Sequence, residues 1–158
     1  MSRTNLLLDQ QLCFALYSAA QAITRGYRTR LAPVGLTYPQ YLVLLVLWES
    51  GSSSVKGLAD RLRLDSATLT PLLKRMEQAG LVTRTREMVD QRVVNVALTP
   101  QARAIKPQVA AIQRDVVDST GLEDASFHEL RTALRNLMRA LDDDTEARMG
   151  AAFADDPV

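Results

Sequence analysis

Two short helical segments joined by a brief turn and followed by two β-type segments constrain the fold of this chain more than any other feature. Val55 to Leu62 has helical spacing, and after two further residues Asp65 can cap a second helix that ends at Gly80. Leu81 to Arg86 and Val93 to Leu98 then alternate or carry β-branched residues, as the strands of a hairpin do. This order predicts a winged helix-turn-helix.

Longer helices flank this unit. Apolar residues recur at helical spacing from Leu6 to about Leu31. The segment Thr37-Tyr38-Pro39-Gln40 is typical of a capping box and predicts a buried helix running to Glu49. After the hairpin we expect one helix from Thr99-Pro100 to Val117 and another from Asp124 to about Arg148.

Three local features complete the expected organisation. Gly51-Ser52-Ser53-Ser54 is interpreted as a polar loop whose last residue caps the next helix. Pro71 lies within the second short helix, so that helix either bends or begins at Thr70. Residues 154–158 are expected to fray, and residues 1–5 lead into a helix rather than into an apolar signal core.

The predicted fold class is mainly α with a small β wing. A chain of 158 residues is long enough for one domain with a real core, so we expect a single domain over 1–158. The terminal helices have apolar faces with no sheet to cover them, which favours a homodimer. Residues 1–35 and 101–150 would dimerise, and residues 52–99 would form the DNA-binding lobe.

Composition excludes several classes of function. Cys13 is the only cysteine and His128 the only histidine, so an internal disulfide is impossible and a structural zinc site is not expected. We predict no metal and no cofactor. No apolar run approaches ~18 residues, so we expect no membrane association and a cytoplasmic location. Residues 52–99 carry eight basic and five acidic side chains, which makes the helix-turn-helix region the basic part of the chain.

This basic region contains the residue types that bind double-stranded DNA. Short hydroxyl side chains at the start of the second helix suit base edges or phosphates, and cations further along suit phosphates. An arginine on a wing is favoured in a narrow minor groove. The predicted DNA-binding residues are Ser66, Thr68, Thr70, Lys74, Arg75, Arg84, Arg86, Asp90 and Arg92. The competing interpretation is a solvated, charged surface that binds protein.

Cys13 is a candidate reactive thiol. An ordinary thiol is only a few per cent ionised at neutral pH, so fast oxidation needs a nearby hydrogen-bond donor or cation. Tyr17 lies one turn away, whereas Tyr27 lies ~21 Å along the axis of an unbroken helix. Tyr27 reaches Cys13 only if two such helices pack antiparallel in a dimer. The alternative is that Cys13 is a small core side chain without reactivity.

Several segments resemble one known family. They are Leu12-Cys13-Phe14-Ala15-Leu16-Tyr17, Thr37-Tyr38-Pro39-Gln40-Tyr41-Leu42, Leu47-Trp48-Glu49 and the stretch from Leu64 to Glu77. Together they resemble the OhrR organic-hydroperoxide sensors of the MarR family, over roughly residues 9–100. The wing motif Asp90-Gln91-Arg92, followed by Leu98-Thr99-Pro100, is similar to the broader MarR signature.

The resemblance implies a dimeric repressor that binds operator DNA when reduced and dissociates when an organic hydroperoxide oxidises Cys13. It implies that Tyr27 and Tyr38 of the opposite subunit hold the thiolate. Because the chain has no second cysteine, the resemblance implies trapping of the sulfenic acid by a low-molecular-weight thiol, or irreversible over-oxidation. The resemblance also implies that Asp90 orients Arg92. The wing tip, residues 87–90, is less charged than is usual in that family.

Two other functions remain open at this point. The chain could be a MarR-type regulator released from DNA by a small phenolic ligand, with Cys13 only lining the pocket. A thiol peroxidase is disfavoured because there is no CxxC motif and no resolving cysteine. We therefore expect a regulator that is not an enzyme.

Overall fold

The structure, a computed structural model, describes residues 6–154, with side chains as far as Arg148. These residues form seven α-helices and a three-stranded sheet, joined by turns and loops. The predicted mainly helical class with a small sheet is confirmed. The elements in chain order are α1 (Leu12–Leu31), α2 (Tyr38–Ser50), β1 (Ser52–Ser54), α3 (Val55–Leu62), α4 (Ser66–Gln78), β2 (Val82–Arg86), β3 (Val94–Leu98), α5 (Pro100–Ala104), α6 (Lys106–Asp118) and α7 (Asp124–Ala154).

The predicted helix caps are present. At the start of α2 the Gln40 amide donates to Thr37 Oγ1 at 3.4 Å, and the Thr37 amide donates to Gln40 Oε1 at 2.9 Å. The Gly57 amide donates to Ser54 Oγ at 3.0 Å and so caps α3. These side chains satisfy amides that a helix leaves without partners in its first turn, which fixes where each helix begins.

The first helix begins later than its apolar spacing predicts. Leu8–Gln10 form a 3-10 turn, and Gln11 is extended before α1 starts at Leu12. The Gln11 side chain donates to the Leu7 carbonyl at 3.1 Å, which ties the turn back on itself. A local side-chain hydrogen bond of this kind competes with continuation of the helix.

The expected polar loop before α3 is a strand, so that interpretation is wrong for residues 52–54. Ser53 lies opposite Val96, and the sheet has the antiparallel order β1-β3-β2. Serine has little strand preference, so the pairing is a tertiary effect in which β1 supplies the second partner of β3. Gly51, with φ of +78°, turns the chain from α2 into this strand.

Proline does not set the start of α4. The helix begins at Ser66 and passes through Pro71, so the alternative of a start at Thr70 is wrong. Pro71 has no N–H to donate to the Ala67 carbonyl, and the Thr70 hydroxyl donates to the Ser66 carbonyl at 2.8 Å.

The predicted helix from Thr99 to Val117 is also wrong as one element, because it divides at Ile105 into α5 and α6.

The core forms where α2 meets the helix-turn-helix and the sheet. Leu44 and Leu47 of α2 are fully buried, as are Leu58, Leu73 and Val96 of the neighbouring elements. The Trp48 indole N–H donates to the Ala102 carbonyl at 3.0 Å and fixes α5 to α2. This core holds α3, α4 and the hairpin as one lobe.

The chain divides into two compact units, the second beginning at Val117, so the single domain over 1–158 stays a prediction. In the second unit α7 carries exposed apolar side chains at intervals of four, four and three residues: Leu130, Leu134, Met138 and Leu141. The helix continues to Ala154, beyond the expected end at Arg148. The N-terminal segment 1–5 and the expected frayed residues 155–158 lie outside the described residues.

Among the described residues, no single helix is both long and apolar enough to cross a membrane. Leu12–Val34 and Tyr38–Ser50 reach that length and composition only together, across a bend of 80°. In α2 most of the apolar side chains lie in the core.

Candidate functional site

The start of α4 displays the three predicted hydroxyl side chains on an exposed face. The Asp65 carboxylate accepts from the Thr68 amide at 2.6 Å and from the Thr68 hydroxyl at 3.0 Å. These hydrogen bonds lower the pKa of Asp65 below its ordinary value. Ser66, Thr68 and Thr70 are all exposed, although the protons of the two threonine hydroxyls are already donated within the chain. Each threonine oxygen can therefore serve DNA mainly as an acceptor.

Lys74 and Arg75 follow on exposed positions of the same helix. On the opposite side of α4, Leu69, Leu72 and Met76 are buried in the core. The buried side fixes which way α4 faces, because a helix that packs three apolar residues into a core cannot rotate about its axis. The predicted DNA-binding residues of α4 thus share its solvent side.

Arg84 has a partner within the chain. Its Nε and Nη2 donate to Glu77 Oε2 at 2.9 and 2.6 Å, and its backbone amide donates to Glu77 Oε1 at 3.2 Å. These contacts tie strand β2 to helix α4, and the hydrogen bonds from Arg84 hold the pKa of Glu77 below its ordinary value. Arg84 stays a predicted DNA contact, but its geometry is that of a residue that joins the wing to α4.

The other predicted wing residues differ in how far they are held. Arg86 Nη1 donates to the Gln91 carbonyl at 3.1 Å. The Arg92 side chain is 93% exposed, with its Nε 3.4 Å from Asp90 Oδ1, and its backbone amide donates to the same oxygen at 2.9 Å. The structure therefore places Asp90 against Arg92, the relation that the sequence resemblance implies.

A cleft of about 380 Å³ lies between α3, α4 and the hairpin. Thr70 and Leu73 of α4 form one side of the cleft. Three cationic side chains also line it: Lys56, Arg84 and Arg92. Sequence reasoning missed Lys56. It lies in the first turn of α3, and the periodicity of α3 gives no sign that this turn adjoins the wing.

Cys13 is exposed in the first turn of α1, and Tyr17 one turn later is 60% exposed. Tyr27 lies on the same unbroken helix, about 21 Å from Cys13 along the axis. Within one chain the structure therefore brings Cys13 near Tyr17 and keeps it away from Tyr27. Cys13 therefore does not lie in the core of the single chain.

Tyr27 belongs to a cluster of three aromatic rings where α1 packs on α2. Its ring centroid lies 5.4 Å from that of Tyr38 and 4.9 Å from that of Tyr41. Burial, with a smaller contribution from Tyr27, raises the pKa of Tyr38. Burial and a hydrogen bond with Tyr27 raise the pKa of Tyr41 far above its ordinary value. Tyr38 and Tyr41 therefore stay protonated throughout the physiological pH range.

Two shallow cavities of about 480 and 520 Å³ line one side of α1. Tyr17 borders the first, Tyr38 borders the second, and Thr24 and Arg28 border both. We call this surface the α1 groove. Residues 10–48 contain three arginines and no acidic residue, so the groove lies in a basic stretch that whole-chain charge does not reveal.

Some apolar side chains of α1 are exposed in the part of the chain that the structure describes. On α1, Leu12 is 61% exposed and Ile23 39% exposed.

Among the described residues there is no group of three or more Asp, Glu, His or Cys side chains placed to hold a metal ion. His128 is exposed with its Nδ1 3.1 Å from an Arg131 nitrogen, as a surface residue would be.

Comparison with known proteins decides the family. Residues 36–94 match the MarR family profile. Over 144 residues the chain is 49% identical to the HTH-type transcriptional regulator TtmR of Methylorubrum extorquens, and the match covers 91% of this chain and 72% of TtmR. The chain belongs to the MarR family. It is therefore a winged-helix transcriptional regulator, of a family whose members bind operator DNA as dimers.

Two further relatives of this MarR-family protein concern redox chemistry. The organic hydroperoxide resistance transcriptional regulator of Bacillus subtilis is 39% identical over 137 residues, which cover 87% of this chain and 93% of that protein. The structure of reduced AbfR bound to DNA has a TM-score of 0.74 at 33% identity, and covers 86% of this chain and 93% of AbfR. AbfR is a protein of Staphylococcus epidermidis.

AbfR has also been solved in oxidised states. Overoxidised AbfR bound to DNA has a TM-score of 0.66 at 36% identity and covers 83% of this chain and 94% of AbfR. Disulfide-formed AbfR has a TM-score of 0.60 at 36% identity, and the match covers 83% of this chain and 92% of AbfR. These states belong to AbfR.

Proposed function

We propose that this protein is a peroxide-responsive repressor: a homodimer that binds operator DNA when Cys13 is reduced and dissociates when an organic hydroperoxide oxidises it. The observation that carries the proposal is the separation on α1 between an exposed thiol at one end and a cluster of phenol rings at the other. Two antiparallel copies of α1 would bring each thiol to the other chain's phenols. The relationship to the Bacillus subtilis hydroperoxide regulator supports the same chemistry.

The dimer would form through the terminal helices. Leu12 and Ile23 on α1 and the apolar row on α7 are exposed in the single chain, and burial of such surface favours association. Packing of α1 against a second α1 would place Cys13 over the end of the groove bordered by Tyr38 and Arg28. This arrangement follows from the proposal that 1–35 and 101–150 are the dimerisation segments.

The proposed reaction begins with the thiolate of Cys13. Tyr27 and Tyr38 of the partner subunit would donate hydrogen bonds to the sulfur, while Arg28 of the partner subunit would add a positive charge, and both effects favour the ionised thiol. The sulfur attacks one oxygen of the hydroperoxide, the O–O bond breaks, and a proton from solvent completes the alcohol that leaves. Cys13 becomes a sulfenic acid.

A second thiol would then complete the switch. The thiolate of a low-molecular-weight thiol attacks the sulfenic sulfur, an S–S bond forms as the S–O bond breaks, and the departing hydroxide takes a proton from solvent to become water. Because overoxidised AbfR is known bound to DNA, we take the bulkier mixed disulfide, rather than the sulfinic acid, as the form that releases DNA in this protein. Tyr17, one turn from Cys13 and exposed, would border the added group.

DNA would be read by α4 and the wing. The exposed face of α4 would enter the major groove, with Ser66, Thr68 and Thr70 near the bases and Lys74 and Arg75 at phosphates. Arg92 would enter the minor groove with Asp90 and Arg86 fixing the wing around it, and Arg84 would hold the wing to α4. Lys56 faces the same cleft and would add a phosphate contact.

The test of this function is release of operator DNA by Cys13→Ser. We expect the variant to bind DNA with the affinity of the wild type and to remain bound when an organic hydroperoxide and a small thiol are added. Mass spectrometry of the released wild-type protein should find Cys13 as a mixed disulfide. Release of the variant by peroxide would refute the thiol mechanism, and release by a phenolic ligand regardless of reductant would favour a ligand-responsive regulator.

A further inference from the structure

Tyr41 is the most buried member of the aromatic cluster and has no role in the reaction proposed above. Its ring stacks on that of Tyr27, with centroids 4.9 Å apart and planes inclined by 26°. Only 4% of Tyr41 is exposed, whereas Tyr38 is partly exposed at the α1 groove. Tyr27 is 8% exposed, so Tyr41 is the least accessible of the three rings to a sulfur atom that docks from outside.

The Tyr41 hydroxyl makes a hydrogen bond to Tyr27, one of the two tyrosines proposed to contact the sulfur. It donates to the Tyr27 hydroxyl, with the two oxygens 3.4 Å apart. A phenol has one proton and two lone pairs, so Tyr41 uses its only proton in this contact while Tyr27 accepts and keeps its own proton. The Tyr27 hydroxyl can therefore still donate its proton, while one lone pair of its oxygen already accepts from Tyr41.

We propose that Tyr41 is a positioning residue, whose hydrogen bond to Tyr27 directs the Tyr27 proton outward to the sulfur of the partner subunit's Cys13. The proposal rests on the function proposed above, in which Tyr27 serves a thiol of the other chain. It adds a third tyrosine, placed behind Tyr27 rather than beside the sulfur.

Two physical effects support this role. A hydroxyl that accepts one hydrogen bond becomes a better donor of the next, so a Tyr41–Tyr27–sulfur chain strengthens when the sulfur is anionic. The present 3.4 Å contact is long compared with the ~2.7–2.8 Å usual for hydroxyl pairs, which leaves room for such shortening. Burial and this same contact raise the pKa of Tyr41, so it remains a donor wherever the thiolate exists.

The experiment compares Tyr41→Phe with wild type in the reduced homodimer. The rate of Cys13 alkylation is measured against pH, together with the rate of sulfenic acid formation by an organic hydroperoxide. We expect the midpoint of the alkylation profile to move to higher pH, and both rates at neutral pH to fall by about threefold to tenfold, the range of one hydrogen bond. Affinity for operator DNA should not change, which separates positioning from a general loss of structure.

A double-mutant cycle tests whether Tyr41 acts through Tyr27. In the Tyr27→Phe background, Tyr41→Phe should have no further effect, because the hydroxyl that it positions is gone. Additive effects of the two substitutions would overturn the proposal. An unchanged pH profile for Tyr41→Phe, beside a shifted one for Tyr27→Phe, would also overturn it while leaving the proposed function intact.

A second variant keeps the test decisive if Tyr41→Phe folds poorly. Replacement of Tyr41 by 3-fluorotyrosine keeps the ring and makes its hydroxyl a stronger donor, so the midpoint should move to lower pH. A movement to higher pH, or none, would contradict the proposal. If neither Tyr27→Phe nor Tyr41→Phe alters the profile, the proposed role of Tyr27 fails together with this inference, whereas the Cys13→Ser assay still decides the proposed function.

Discussion

The DNA-reading lobe and the thiol region differ in where their partners lie. In the lobe several key side chains are held by other residues of the same chain, as in the pairs Asp65–Thr68 and Glu77–Arg84. At the thiol, Cys13 is exposed and about 21 Å along α1 from the phenols that would hold it. The DNA-binding lobe is therefore assembled within one chain, whereas the proposed sensor would require two.

Under the proposed function, this difference would explain how oxidation of Cys13 controls DNA binding. A site shared by two chains is sensitive to the geometry of the dimer, and that geometry also sets the distance between two α4 helices that must meet major grooves ~34 Å apart. A group added to Cys13 would act directly on the shared site. The internal contacts of the lobe would keep each DNA-binding lobe folded while the distance between the two lobes changes.

The largest expected effect comes from breaking the dimer. Leu134→Glu places a charge in the exposed apolar row of α7 and should leave the single chain folded, since this side chain is 37% exposed there. We expect a monomer in sedimentation, at least about a hundredfold weaker operator binding, and slow oxidation of Cys13. Leu134→Met is the matched control. A dimeric Leu134→Glu protein would remove α7 from the proposed interface.

The next effect separates two arginines of the wing. Arg92→Ala should weaken operator binding by about tenfold and lower the salt dependence by about one phosphate contact, without a change in melting temperature. Arg84→Ala should instead lower the melting temperature, because it leaves Glu77 without its partner. If Arg84→Ala changes only DNA affinity and Arg92→Ala only stability, the roles are reversed.

The Glu77–Arg84 contact also predicts a pH dependence. The pKa of Glu77 is lowered in the folded state, so its contribution to stability is present above the pKa of the unfolded chain and is lost as the pH falls through the lowered value. Melting temperature should therefore fall in acid for the wild type, and less steeply for Glu77→Gln. Parallel acid curves for the two proteins would show that this pair does not govern acid stability.

The smallest expected effect concerns charge in the α1 groove. Arg28→Gln removes a cation that borders both cavities and should slow Cys13 oxidation at neutral pH by about twofold to fivefold, the weight of one partly solvated charge. Added salt should reduce the difference from wild type. Arg103→Gln, on exposed α5, is the control and should not alter the rate. An equal effect of both variants would indicate only a change in net charge.

Local signals in the sequence predict the positions of the helices well. The caps at Thr37, Ser54 and Asp65 are formed by residues within three positions of their partners, so they are readable from the sequence alone. Strand β1 is not, because three serines become a strand only through pairing with β3, more than forty residues later. The break at Ile105 does have a local signal, because Pro107 lies in the first turn of α6, where proline favours the start of a helix; the prediction of a single helix overlooked it.

The candidate site shows the same limit. Residue type and spacing suggest Cys13, Tyr17 and Tyr27, and the resemblance adds Tyr38. Tyr41 and Tyr27 are fourteen residues apart in sequence, and their contact depends on how α1 packs on α2. The pairing of Arg84 with Glu77 depends on how β2 lies against α4. Contacts between elements of this kind have no local sequence pattern.

The central claim, that the thiol of one chain depends on the tyrosines of the other, is tested most directly with mixed dimers. One chain carries Cys13→Ser and the other carries Tyr27→Phe with Tyr38→Phe, so the only Cys13 faces a partner with intact tyrosines. This dimer should form sulfenic acid at the wild-type rate. A dimer with both changes placed in the same chain leaves the only Cys13 facing the altered tyrosines and should react slowly, and the opposite order of rates would contradict the account.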